Sequence, residues 1–101
     1  MPEHVILWEF LVRPGWEAEF ESAYGPEGAW VRLFAQGDGY LGSELLRNTS
    51  VPRRYTTIDR WRSADDFAHF RDAHAAQYAA LDSRCEAWTE AETSIGTWNP
   101  A

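Results

Sequence analysis

Lysine is missing altogether: nine arginines supply all the fixed positive charge against sixteen aspartates and glutamates, for a formal net charge of −7. A surface this acidic has little with which to neutralise phosphates, which excludes a nucleic-acid partner. Cys85 is the only cysteine, so neither an internal disulfide nor a cysteine-cluster metal site can form. A lone thiol suits a reducing interior and packs as a small hydrophobe. No apolar stretch approaches the roughly 20 residues of a membrane span, and no basic-then-apolar leader opens the sequence. The expectation is a soluble, cytoplasmic protein with no membrane partner. A phosphate loop is lacking too, because Gly37-Asp38-Gly39-Tyr40 leads into a strand rather than a helix. No metal site is expected: His69 and His74 are five residues apart, on different sides of a helix, with no third ligand at a recognisable spacing.

Aromatic rings, by contrast, are plentiful. Six tryptophans, four tyrosines and five phenylalanines in 101 residues exceed what one modest core needs, since each large ring buries about 150–250 Å². The surplus points to an interface, a pocket or both.

Residues 4–13 (HVILWEFLVR) read as a strand that ends at the turn pair Pro14-Gly15. Ile6, Trp8, Phe10 and Val12 lie on one face, and Val5, Leu7 and Leu11 on the other, interrupted only by Glu9. Both faces need cover. The helices of a chain this size cover one, so the other calls for a second copy, a homodimer through the sheet face. Residues 15–24 are helical in pattern, with early glutamates suiting the positive helix end. Gly25-Pro26 interrupts the pattern, which resumes with Trp30, Leu33 and Phe34 until the glycines at 37 and 39 end it. Residues 40–47 and 53–62 read as strands two and three. Ser63, followed three residues later by Asp66, caps a second helix running to about residue 81 or 82. Residues 84–90 admit a short extra turn, and strand four spans 91–98. The order β-α-β-β-α-β is the ferredoxin-like α+β plan: one domain over residues 1–101, with a four-stranded antiparallel sheet and its helices on one face.

Four pieces carry a resemblance over almost the whole chain: Trp8-Glu9-Phe10 followed by Val12-Arg13-Pro14-Gly15; Gly39-Tyr40-Leu41-Gly42; Ile58-Asp59-Arg60-Trp61-Arg62-Ser63; and the helix bearing Phe70, His74 and Tyr78. The most specific is a tryptophan ending strand three, with a histidine thirteen residues on and a tyrosine four later. In this order and length they resemble the antibiotic biosynthesis monooxygenase domain family, within the dimeric α+β barrel superfamily. That resemblance implies two sheets paired face to face into a barrel. It also implies, for some members, oxygenation of aromatic or quinol-type substrates without metal, flavin or haem; other members have no assigned activity. The haem-degrading branch of the superfamily uses a strand-one asparagine with a tryptophan and a histidine. Strand one here has Trp8 and Glu9 instead, and Phe70 stands where that tryptophan would.

Cofactor-free oxygenation of a phenol or anthrone-like ring requires a dry aromatic slot, a proton acceptor and a donor for the enolate-like oxygen. His74 is the first candidate acceptor, since imidazole titrates near neutral pH and lies on the stripe Phe67, Phe70, His74, Tyr78, Leu81. Glu9 and Asp59 are the other titratable candidates; Glu9 either pairs with an arginine across the dimer interface or sits in the pocket with a raised pKa. Trp61, Trp30, Phe70 and Tyr78 are candidate walls, and Tyr55 or Arg60 candidate oxyanion partners. The meeting of two sheets is expected to enclose this hollow. The plainer readings are a structural His74 with satisfied nitrogens, Trp61 and Trp30 as core, and Arg60 as an ion-pair partner of nearby acids. No cofactor is required, and the partners are a second copy of the chain and a small aromatic molecule. Two other functions fit the same residues: a non-catalytic ligand-binding or interaction domain, and a proton-transferring isomerase or cyclase.

Overall fold

A first strand with apolar residues on both faces sits at the centre of the sheet. β1 (His4–Val12) pairs antiparallel with β3 (Arg54–Trp61) on one side and β4 (Thr89–Trp98) on the other, and β2 (Tyr40–Arg47) completes the sheet in the order β2-β3-β1-β4. The computed structural model describes residues 2–101. Four short helices cross one face: α1 (Glu17–Tyr24), α2 (Ala29–Phe34), α3 (Ala64–Ala73) and α4 (Ala75–Glu86). The even-numbered residues of β1 and the odd-numbered residues of β3 point at them. Their contributions join Phe20, Ala23, Trp30, Leu33, Phe34, Phe70, Leu81 and Cys85 in two adjoining buried clusters. The ferredoxin-like plan is as the pattern predicts.

Local chemistry explains most boundaries. Gly25-Pro26 divides the first helical region into α1 and α2. Ser63 accepts a hydrogen bond from the Asp66 backbone N–H at 3.1 Å, capping α3. Gly37 lies so close to the core that a β-carbon there would stand 2.8 Å from both Phe70 Cδ1 and Trp61 Cη2; only glycine lets that loop approach the rings.

Two boundaries differ from the expectation. The second helix is not continuous: it breaks at His74, whose φ of −120° and ψ of 26° are not helical, and α3 ends there. The chain then coils again as α4 through Glu86, absorbing most of the segment read as an extra turn, and β4 starts at Thr89 rather than residue 91. Among the described residues no helix is long and apolar enough to cross a membrane.

The other sheet face carries Val5, Leu7, Glu9 and Leu11 of β1 with Arg54, Thr56, Ile58 and Arg60 of β3. Leu46 and Trp98 on the same face are 48% and 55% exposed. Among the described residues no helix or strand crosses it.

Candidate active site

Between the helices and the inner sheet face lies a partly open cavity of about 380 Å³, within the usual range for small-molecule sites. Its walls are Trp8, Phe10, Tyr24, Trp30, Phe34, Phe67 and Tyr78, and its floor includes Ile6, Thr57 and Asp59. The residues come together because the pleat alternates: Thr57 faces Trp8 and Asp59 faces Ile6 across the β1–β3 pair, so all four share the helix side. The rim carries Arg71, Asp82 and Glu92; Glu44 borders it as well, but stands opposite Ile58 of β3 and pairs with Arg60 on the outer face. The Arg71 guanidinium lies 3.8 Å over the Tyr78 ring, a cation–π contact.

Asp59 is the titratable group on the floor. Burial pushes its carboxyl up to about 6, opposed by a hydrogen bond from Ser43. Ser43 Oγ donates to Asp59 Oδ1 at 2.6 Å and lies 2.6 Å from the Tyr40 hydroxyl. No arginine or histidine nitrogen forms a salt bridge with it among the described residues. Tyr24 and Tyr78 are both raised above the ordinary phenol value, chiefly by burial, and so stay protonated. Glu92 is raised by burial and by the neighbouring Asp82.

The other candidates lie elsewhere, each for a physical reason. His74 does not line the cavity: at the α3–α4 break its ring stacks on Phe70, centroids 5.0 Å apart, and its Nδ1 donates to the Phe70 carbonyl at 3.3 Å. Glu9 is on the opposite sheet face, outside the cavity, and pairs with Arg54 of its own chain at 3.2 Å. Arg60 shares that face and pairs with Glu44 at 3.5 Å and Glu3 at 3.8 Å. Tyr55 is buried against Phe20 and donates to Glu21 Oε2 at 2.5 Å, away from the cavity. Trp61 and Phe70 are sealed in the core, 0% and 2% exposed, rather than forming walls. Of the named wall residues, Trp30 and Tyr78 line the cavity. Within the single chain, this cavity is bounded by helices and one sheet face.

Trp8, Phe10, Tyr24, Ser43, Thr57 and Arg71 were not among the candidate site residues read from the sequence. The parity of β1 already assigns Trp8 and Phe10 to the helix side, and the same parity assigns Thr57 and Asp59 once β3 is paired. Among the described residues no group of three or more histidine, cysteine, aspartate or glutamate side chains is arranged to hold a metal ion.

Comparison with known proteins agrees with this architecture. The profile of the family described as "Antibiotic biosynthesis monooxygenase" matches residues 4–81. No curated protein matches the sequence. Among solved structures, SnoaB, a cofactor-independent oxygenase from Streptomyces nogalater, is 22% identical with a TM-score of 0.82, covering 100% of this chain and 95% of that one. A putative antibiotic biosynthesis monooxygenase from Bordetella bronchiseptica is 24% identical with a TM-score of 0.79, covering 100% and 99%. A conserved protein from Methanosarcina mazei reaches a TM-score of 0.80 at only 9% identity, covering 100% and 95%. At these identities the structures establish the shared fold.

Proposed function

The chain belongs to the antibiotic biosynthesis monooxygenase family, and from that membership we propose that it is a cofactor-independent monooxygenase of a small aromatic or quinol-type substrate, with the Asp59 carboxylate as the base. The observation that carries the reading is a buried carboxyl, pushed up to about 6, on the floor of an aromatic-walled cavity of about 380 Å³. A base works best when its pKa lies near the working pH, and burial moves Asp59 toward that point.

In the proposed reaction the substrate O–H bond breaks and its proton passes to Asp59. The resulting anion, held between the rings of Trp8, Trp30 and Tyr78, gives one electron to dioxygen. The superoxide and substrate radical so formed combine in a C–O bond, leaving a peroxide. Asp59 returns its proton to the peroxide anion; the O–O bond of the resulting hydroperoxide then breaks with loss of hydroxide as the adjacent C–H bond releases its proton, so that one oxygen atom becomes a carbonyl, the other leaves as water and Asp59 is ionised again. Arg71 and the protonated Tyr78 hydroxyl are the donors for the substrate oxyanion. Asp59 takes the acceptor role in place of His74 because it lines the cavity and His74 does not. A carboxylated substrate is disfavoured, since the cavity carries Asp59, Asp82 and Glu92 against the single cation Arg71.

The protein also acts as a homodimer in this proposal, supported by the uncovered face bearing Leu7, Leu11, Leu46, Ile58 and Trp98; apolar patches of this kind mark association surfaces. The test of the reaction is dioxygen uptake with anthrones and dihydroxy-aromatics in the presence of a metal chelator. Uptake that falls at least a hundredfold in Asp59→Asn supports the proposal. Full uptake in that variant refutes Asp59 as the base, and hydrogen exchange into the substrate without uptake moves the assignment to proton transfer.

A further inference from the structure

β2 contains an irregularity that serves Asp59. Tyr40 pairs with Trp61 and Ser43 with Asp59, so three residues of β2 span two of β3. In a regular strand, residues 40 and 43 point to opposite faces. The bulge between Tyr40 and Gly42, with Gly42 at a φ of +137°, reverses that parity and brings both hydroxyls to the helix side. Their hydrogens can be counted. Each hydroxyl has one, and an ionised carboxylate has none. Ser43 uses its hydrogen on Asp59 Oδ1, so the 2.6 Å contact between Tyr40 and Ser43 requires Tyr40 as donor. Every hydrogen in the chain points toward Asp59. Among the described residues no other hydrogen bond reaches the carboxyl, and Oδ2 is not among the sealed unpartnered atoms, which are the indole nitrogens of Trp30 and Trp61.

We propose that Ser43 and Tyr40 are positioning residues of this site: two hydroxyls in series that hold the Asp59 carboxylate ionised and in one orientation, leaving Oδ2 to meet the substrate. The inference rests on Asp59 as the base and adds what keeps it a base. Burial favours the protonated acid, which cannot accept a proton; a hydrogen bond to the charged form opposes burial. The other ionisable groups around Asp59 are Tyr24 from α1, Glu44 from β2, Arg71 from α3, Tyr78 and Asp82 from α4, and Glu92 from β4. β1 and α2 present only Ile6, Trp8, Phe10, Trp30, Val31 and Phe34. All of these are unchanged in the variants below, so a displaced titration reports the hydroxyls.

The experiment is a carboxyl-carbon NMR titration of aspartate-labelled protein, with the Asp59 resonance assigned by its loss in Asp59→Asn. The wild-type midpoint is expected at about 6. Ser43→Ala should raise it by about one pH unit, Tyr40→Phe by about half as much, and Ser43→Thr, which restores a hydroxyl, should return it to the wild-type value. Tyr40→Phe keeps the ring that packs on Phe34 and Trp61, so it tests the series even where Ser43→Ala fails to fold. A wild-type midpoint near 6 that moves in none of these variants overturns the positioning role alone. A wild-type midpoint near 3.8 overturns both this role and Asp59 as the base.

Discussion

Replacing Asp59 by asparagine should stabilise the protein, and only above a definite pH. Asparagine keeps the shape of the side chain and an oxygen that accepts from Ser43, and it removes the buried charge. The Asp59 carboxyl is raised from 3.8 to about 6 in the folded state. Folding therefore favours its protonated form: between about pH 4 and 6 the folded chain retains a proton that the unfolded chain has released. By linkage, stability falls as pH rises through that window. The displacement of about two pH units, at about 1.36 kcal/mol each, corresponds to about 3 kcal/mol above pH 6 and to nothing below pH 4. Urea unfolding of wild type and Asp59→Asn at fixed protein concentration should show a stability difference that grows by about that amount from pH 4 to pH 7.5. Glu21 and Asp66 are held below the ordinary carboxylate range, by Tyr55 and Arg62 respectively, and give the opposite trend at acid pH. Both proteins contain them, so they cancel in the difference. A difference constant across the range would refute the claim that burial of this carboxyl carries an ionisation cost.

Two further outcomes separate the candidate groups and the assembly. His74→Ala should leave dioxygen uptake within a few-fold of wild type and cost about 1 kcal/mol of stability from the lost Phe70 stacking; a loss matching that of Asp59→Asn would restore the imidazole as the base. In sedimentation equilibrium at micromolar concentration, wild type should run at twice the 11.6 kDa of one chain, and Leu46→Glu, a charge placed on the uncovered face, should run as a monomer. A monomeric wild type would remove the case for face-to-face pairing.

The fold was legible because it depends on period. The two apolar sets of β1, the glycines that end helical runs and the Ser63 cap are local features, and each survives folding unchanged. The site was less legible because it depends on pairing. Asp59 is one charge among Ile58, Arg60 and Trp61 until the β1–β3 register sets it beside Ile6 and opposite Ser43. His74 misled for a related reason. Helical spacing carries a stripe through it, yet the helix breaks at that residue without a glycine or proline to announce the fault. The β2 bulge escaped as well, because Gly42 within a strand pattern signals an irregularity but not which neighbours it will turn inward.

The hydrogen-only gap at Gly37, closed by Phe70 and Trp61, has a consequence for how such a site can change. Those two rings back the Phe34 and Phe67 walls of the cavity, which cannot retreat without prising them apart, so this side acts as a fixed jaw. Room for a bulkier guest has to come from the lip, where Asp82 of α4 lies near Glu92 of β4. Divergence in guest size within this architecture should accumulate along that lip while the jaw stays as it is.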